Sequence, residues 1–122
     1  MTQFFDDSKP IYIQVRERLE DMIVKDQLTE GEKSPSTTEL ASFYKINHIT
    51  VGKGVNQLVD KGILYKKRGI GMFVAEGAKK KLLQQRKKQF VENYIQPLIE
   101  EADKLGLSDS EIKDFIQQEK EK

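Results

Sequence analysis

The chain has 122 residues, 37% hydrophobic and 34% charged, with a formal net charge of +1 and neither Cys nor Trp. That length accommodates one compact domain, or a small domain with an appendage, and excludes a two-domain enzyme. Lack of Cys excludes a disulfide framework and thiolate chemistry, and the lone His48 cannot build a multi-histidine metal site, so neither metal nor cofactor is expected. The longest apolar run, Met72 to Ala75, falls far short of the roughly 18 residues that span a bilayer, and the acidic, polar start MTQFFDDSKP is no signal or transit peptide. The expectation is a soluble cytoplasmic protein that uses no membrane.

Residues 10–28 place Ile11, Val15, Leu19, Met22 and Ile23 on one stripe with charges opposite, the pattern of an amphipathic helix. Pro10 suits the first turn, where its missing N–H costs nothing. Residues 28–33 read as the exit, with Gly31 supplying a turn. Ser36 and Glu39 form a capping box that opens a short helix from Thr37 to Tyr44, burying Leu40 and Ala41, with Phe43 a third candidate. Lys45 and Ile46 make a turn. Asn47 then caps a second helix that runs to Lys61 with Val51, Val55, Leu58 and Val59 inward, and Gly62 stops it. Two strand signals follow over 63–67 and 72–75, joined by Arg68-Gly69-Ile70-Gly71, whose glycines permit a hairpin tip.

From residue 78 the character changes. Residues 79–105 carry Leu83, Phe90, Val91, Tyr94, Ile95, Leu98, Ile99, Ala102 and Leu105 on a broad apolar face, and Pro97 should kink or restart the helix near Gln96. Gly106 ends it. Ser108 and Glu111 form a second capping box before a last short helix with Ile112, Phe115 and Ile116, and the tail QQEKEK is expected to fray.

Three helices and a β-hairpin give the element order of a winged helix-turn-helix. The fold class is therefore mainly α with a small β-hairpin, followed by two C-terminal helices. No βαβ alternation, glycine-rich phosphate loop or internal repeat competes with it. The division is a winged helix-turn-helix over 8–76 and a helical dimerisation region over 78–122. An apolar face that broad, on a chain with so little core, needs a partner surface, and a second copy is the simplest supply. A small-molecule effector around Phe90, Tyr94 and Leu98 is the alternative use of that face, with dimer core favoured.

The net charge of +1 conceals a division: residues 1–44 carry −4, residues 45–88 carry +10 and residues 89–122 carry −5. So concentrated a basic block points to a polyanion partner. A helix-turn-helix sets the start of its second helix against base edges in the major groove. That start is Asn47, His48, Ile49 and Thr50, with Lys53 one turn on. Asn47, His48 and Thr50 can exchange hydrogen bonds with bases or phosphates, and Lys53 can neutralise a phosphate. Ile49 has two readings, contact with a thymine methyl or packing against the preceding helix. Gly52 and Gly54 each lower helix propensity by roughly 1 kcal/mol relative to Ala, which suits close backbone approach to DNA or a helix that firms on binding.

Ser36, Thr37 and Thr38 stand at another helix start, where free N–H groups attract phosphate, although Ser36 also serves as a cap. Lys66, Lys67 and Arg68 beside Gly69 and Gly71 match a wing that follows the backbone or enters a minor groove. Lysines on exposed strands also discourage edge pairing, the plainer account of the same residues. Lys79 to Lys81 and Arg86 to Lys88 extend the block. No nucleophile stands with a base and no carboxylate pair has a plausible pocket, so the chain is not read as an enzyme.

The segments PIYIQV from Pro10, PSTTELA from Pro35, TVGK from Thr50 and LVDKGILYKKRGIGMFV from Leu58 follow one another in the order and spacing of the GntR family. Residues 10–75 resemble that family, and the short helical remainder is similar to its YtrA-like subfamily. The resemblance implies a homodimeric, double-stranded-DNA-binding regulator, a repressor in its usual form, whose C-terminal helices make the dimer. It further implies transporter-related operons of Gram-positive bacteria and a near-palindromic operator. Thr38, His48 and Gly52 depart from the family, which commonly has Arg at these positions. Those departures keep a second reading in play, a winged-helix adaptor that binds protein through its C-terminal face and nucleic acid only loosely.

Overall fold

The computed structural model describes residues 4–122, which form two compact units dividing between Gln84 and Gln85. In the first unit, α1 (Ile11–Val24), α2 (Thr37–Tyr44) and α3 (His48–Asp60) precede an antiparallel hairpin of β1 (Leu64–Lys67) and β2 (Gly71–Val74). A fourth helix, α4 (Ala78–Phe90), begins in this unit. Val15, Leu19 and Ile23 of α1 meet Val51, Val55 and Leu58 of α3, with Leu40, Ile63, Leu64 and Val74 closing the same core. Burial of each such aliphatic side chain contributes about 1.5–3 kcal/mol, so this small unit carries its own core.

Several elements differ from the sequence expectation, each for a local reason. Helix α1 ends at Val24 rather than residue 28, because Asp26 adopts a left-handed φ of 61° and the N–H groups of Gln27 and Leu28 both turn back to the Met22 carbonyl. Leu28 consequently enters the core instead of extending the helix. Phe43 is 65% exposed, since the inward positions of its short helix are already taken by Leu40 and Ala41. At the surface it meets Phe4 at a tilt and Tyr44 edge-on. Phe5 is buried beside Tyr44, and Arg18 lies over both of those rings, so the segment before Pro10 is part of the fold. Val59 is only half buried at the margin of the core.

The first unit also extends beyond residue 76. Ala78 and Leu82 are fully buried, so the opening turns of α4 seal the core, and Leu83, expected on the broad apolar face, is partly buried.

The second unit comprises the end of α4, a π-helical turn over Val91–Ile95, α5 (Gln96–Leu105) and α6 (Asp109–Lys120). Helix α5 starts at Gln96, as Pro97 led one to expect, but the disturbance begins five residues earlier. Pro97 has no N–H to donate one turn back, and the Gln96 N–H donates to the Val91 carbonyl, the wider spacing of a π turn. Gly106 then takes a left-handed conformation, and the Ser108–Glu111 capping box opens α6. This helix runs to Lys120. Acidic Asp109 and Glu111 at its start and Lys120 at its end complement the helix dipole, and the Gln117 amide donates to Glu121 at 3.0 Å.

Candidate nucleic-acid interface

Capping chemistry fixes the helix-turn-helix. The Glu39 N–H donates to the Ser36 hydroxyl and the Ser36 N–H donates to the Glu39 carboxylate, both at 3.0 Å. The Ser36 N–H, with a smaller contribution from its hydroxyl, holds the Glu39 carboxyl below its ordinary value. After Tyr44 the chain reverses at Lys45, whose φ is 57°, and the Ile46 N–H donates to the Ala41 carbonyl at 3.1 Å. The Asn47 side chain accepts the Ile49 N–H at 2.6 Å and so starts α3 one residue later.

The inner face of α3 is clamped to α1. A Cβ on Gly54 would stand 2.5 Å from the Tyr12 carbonyl oxygen, so the absent side chain lets the two helices close. The Arg16 guanidinium donates to the Gln57 side chain at 2.8 Å across the same contact. Gly54 therefore serves helix packing, not approach to DNA. Gly52 differs, because a Cβ there would meet nothing within 4 Å.

The outer face is open. His48, Ile49, Lys53 and Asn56 are exposed, and Thr50 is partly buried. Ile49 stands 80% exposed, which removes packing against the preceding helix as an account of it. The Lys53 ammonium lies 4.1 Å from the centroid of the Tyr12 ring on α1, while the side chain stays exposed. At the start of α2, Thr38 is exposed while Ser36 and Thr37 are partly covered.

Helix α3 packs on α2 and on β1, which carry the other candidate groups. In the hairpin, Leu64 to Lys67 pair with Val74 to Gly71, leaving a three-residue tip of Arg68, Gly69 and Ile70. Gly69 has a φ of 77°, a conformation available to glycine at little cost, and the Ile70 N–H donates to the Lys67 carbonyl at 2.9 Å. Tyr65 and Phe73 stack across the strands, and the Lys67 ammonium sits 4.3 Å above Phe73. This apolar bed places Lys67 beside the exposed Arg68.

The stretch before α2 runs antiparallel to β2, unrecognised in the sequence. Lys33 bridges Phe73, the Ser34 N–H donates to the Met72 carbonyl at 2.8 Å, and the Val74 N–H donates to the Glu32 carbonyl at 3.0 Å. Lys33 is exposed and its side chain crosses Gly71, adding a cation to the wing. Its signal was the β-biasing effect of the Ser34-Pro35 step, which is compatible with a strand end as well as a loop. Lys79, by contrast, is spent on a 2.9 Å ion pair with Asp26.

The family model described as bacterial regulatory proteins, gntR family, matches residues 11–74, the segment that contains these helices and the wing. This chain belongs to the GntR family. GntR proteins are DNA-binding transcription regulators, not enzymes, and the winged helix-turn-helix is the fold of the structural relatives. The transcriptional repressor YtrA of Bacillus subtilis is 30% identical over 111 residues, covering 91% of this chain and 85% of its own, which places the chain among YtrA-like GntR proteins. A GntR family regulator from Listeria monocytogenes superposes with a TM-score of 0.77 at 32% identity, covering 93% of this chain and 98% of that one. The AraR DNA-binding domain, solved in complex with operator ORX1, aligns at 29% identity and a TM-score of 0.55 over 62% of this chain and 90% of that one. Among the described residues no cluster of acidic or histidine side chains could hold a metal, and no helix is long and apolar enough to cross a membrane.

Proposed function

We propose that this GntR protein is a homodimeric transcriptional repressor of the cytoplasm that binds a near-palindromic operator controlling a transporter-related operon. The outer face of α3 carries the reading. A helix whose inner side is fully packed keeps His48, Ile49, Lys53 and Asn56 at its surface, on the unit that resembles an operator-bound domain. The recognition helix contributes Asn47, His48, Ile49, Thr50 and Lys53. Ser36, Thr37 and Thr38 meet phosphate at the start of α2, and Lys67, Arg68, Gly69 and Gly71 form the wing, joined by Lys33.

The second unit supplies the dimer surface. Phe90, Val91, Tyr94, Leu98, Ile99, Leu105, Phe115 and Ile116 are all exposed in the single chain, flanked by the partly covered Ile95 and Ile112 and the buried Ala102. That many exposed large apolar side chains on one small unit call for a covering surface, and a second copy supplies it without any further partner. We assign this surface, including Phe90, Tyr94 and Leu98, to dimer contact in preference to an effector site. Two recognition helices would then meet half-sites one or more helical turns apart, about 34 Å per turn. The test is to sequence genomic fragments retained by the purified protein at a stated salt concentration. The expected result is a shared two-fold motif upstream of an operon, and fragments without a common motif would support the adaptor reading instead.

A further inference from the structure

We propose that Ile49 is a specificity-determining residue that reads the 5-methyl group of a thymine, so each half-site carries a thymine the protein recognises by apolar contact. This rests on the DNA-binding reading above and names part of what the site selects. Ile49 is 80% exposed, more than any other large apolar side chain among the described residues, while Val51, Val55 and Leu58 of the same helix fill the core. It occupies the first turn of α3, and its own N–H is already taken by the Asn47 side chain at 2.6 Å. The residue therefore offers a base edge only its apolar side chain.

Its surroundings favour such a contact. One helical turn on, Gly52 carries no side chain, and even a Cβ there would meet no atom within 4 Å. A base edge can thus approach the helix backbone beside Ile49 without a neighbouring side chain in the way. His48 and Ile49 are both exposed in the first turn of the helix, and the Lys53 ammonium lies over the Tyr12 ring. In the major groove the thymine methyl is the one apolar group that distinguishes base pairs, and an aliphatic side chain is its natural counterpart.

The experiment uses the full chain and a library of random duplexes, from which bound sequences are selected at fixed salt. Each thymine of the selected duplex is then replaced in turn by deoxyuridine, which removes only the methyl. Wild-type protein should lose about fourfold in affinity per half-site at one position, the value of one buried methyl group. The Ile49→Ala variant should be insensitive to that same replacement while keeping its circular dichroism spectrum and its response at other positions. A deoxyuridine profile without a sensitive position, or one unchanged in Ile49→Ala, overturns the inference and leaves the DNA-binding reading intact. A selection that returns no motif overturns both.

Discussion

The two units use apolar side chains in opposite ways. In the first, Val15, Leu19, Val51 and Leu58 are withdrawn from solvent and close a core within one chain. In the second, Ala102 is the one buried residue, and side chains as large as Tyr94, 66% exposed, remain at the surface. Similar helix-forming chemistry thus yields a self-contained module and an arm whose apolar face is unsatisfied. The lesson is that hydrophobic periodicity identifies a helix, but only the remaining sequence decides whether its stripe has a place to go. The basic block is confined to residues 45–88, the stretch that holds the recognition helix and wing. The acidic flanks include α1, the partner of α3, and most of the arm, and like charge there disfavours DNA contact.

The contrast can be broken from either side. Leu58→Ala removes a buried side chain and should destabilise the first unit by about 3 kcal/mol, with an unfolding midpoint in urea that falls equally at all protein concentrations. Ile99→Asp should instead leave unfolding of the first unit unchanged and weaken the dimer by about 3 kcal/mol, more than a hundredfold in dimer Kd by sedimentation equilibrium. If Ile99→Asp sediments as wild type, the arm is not the dimer surface. Replacing Lys67 and Arg68 together by Ala should weaken binding to any duplex and flatten the slope of log K against log salt by about 1.8 per wing. Gly52→Arg meets no steric obstacle and should steepen the same slope by about 0.9 per subunit, while improving helix propensity.

The smallest expected effect is a pH dependence at the start of α2. Glu39 is held below its ordinary value in the folded chain, so its stabilisation is fully present above the normal carboxylate range. It is lost as pH falls through the lowered value. Glu39→Gln should shrink the acid-side decline of the urea midpoint, and an identical decline would remove Glu39 as a contributor.

Much of this was legible in the sequence because caps and periodicity are local. Ser36 with Glu39, Asn47, and Ser108 with Glu111 each start a helix where their spacing indicates. What escaped depends on contacts distant in sequence. The role of Gly54 is set by the Tyr12 carbonyl more than 40 residues earlier, the place of Lys33 by its bridge to Phe73, and the inward turn of Leu82 by a core assembled before it. The π turn before Pro97 was hidden for another reason, since proline predicts a disturbance but not the residue that absorbs it.

Sedimentation of the full chain with its selected operator, repeated across a series of salt concentrations, decides whether two copies share one duplex and hold it through their basic wings. The expected result is two chains per duplex and a slope of log K against log salt at least as steep as about −3.6, from Lys67 and Arg68 of two wings alone. One chain per duplex, or a slope near zero, would contradict it.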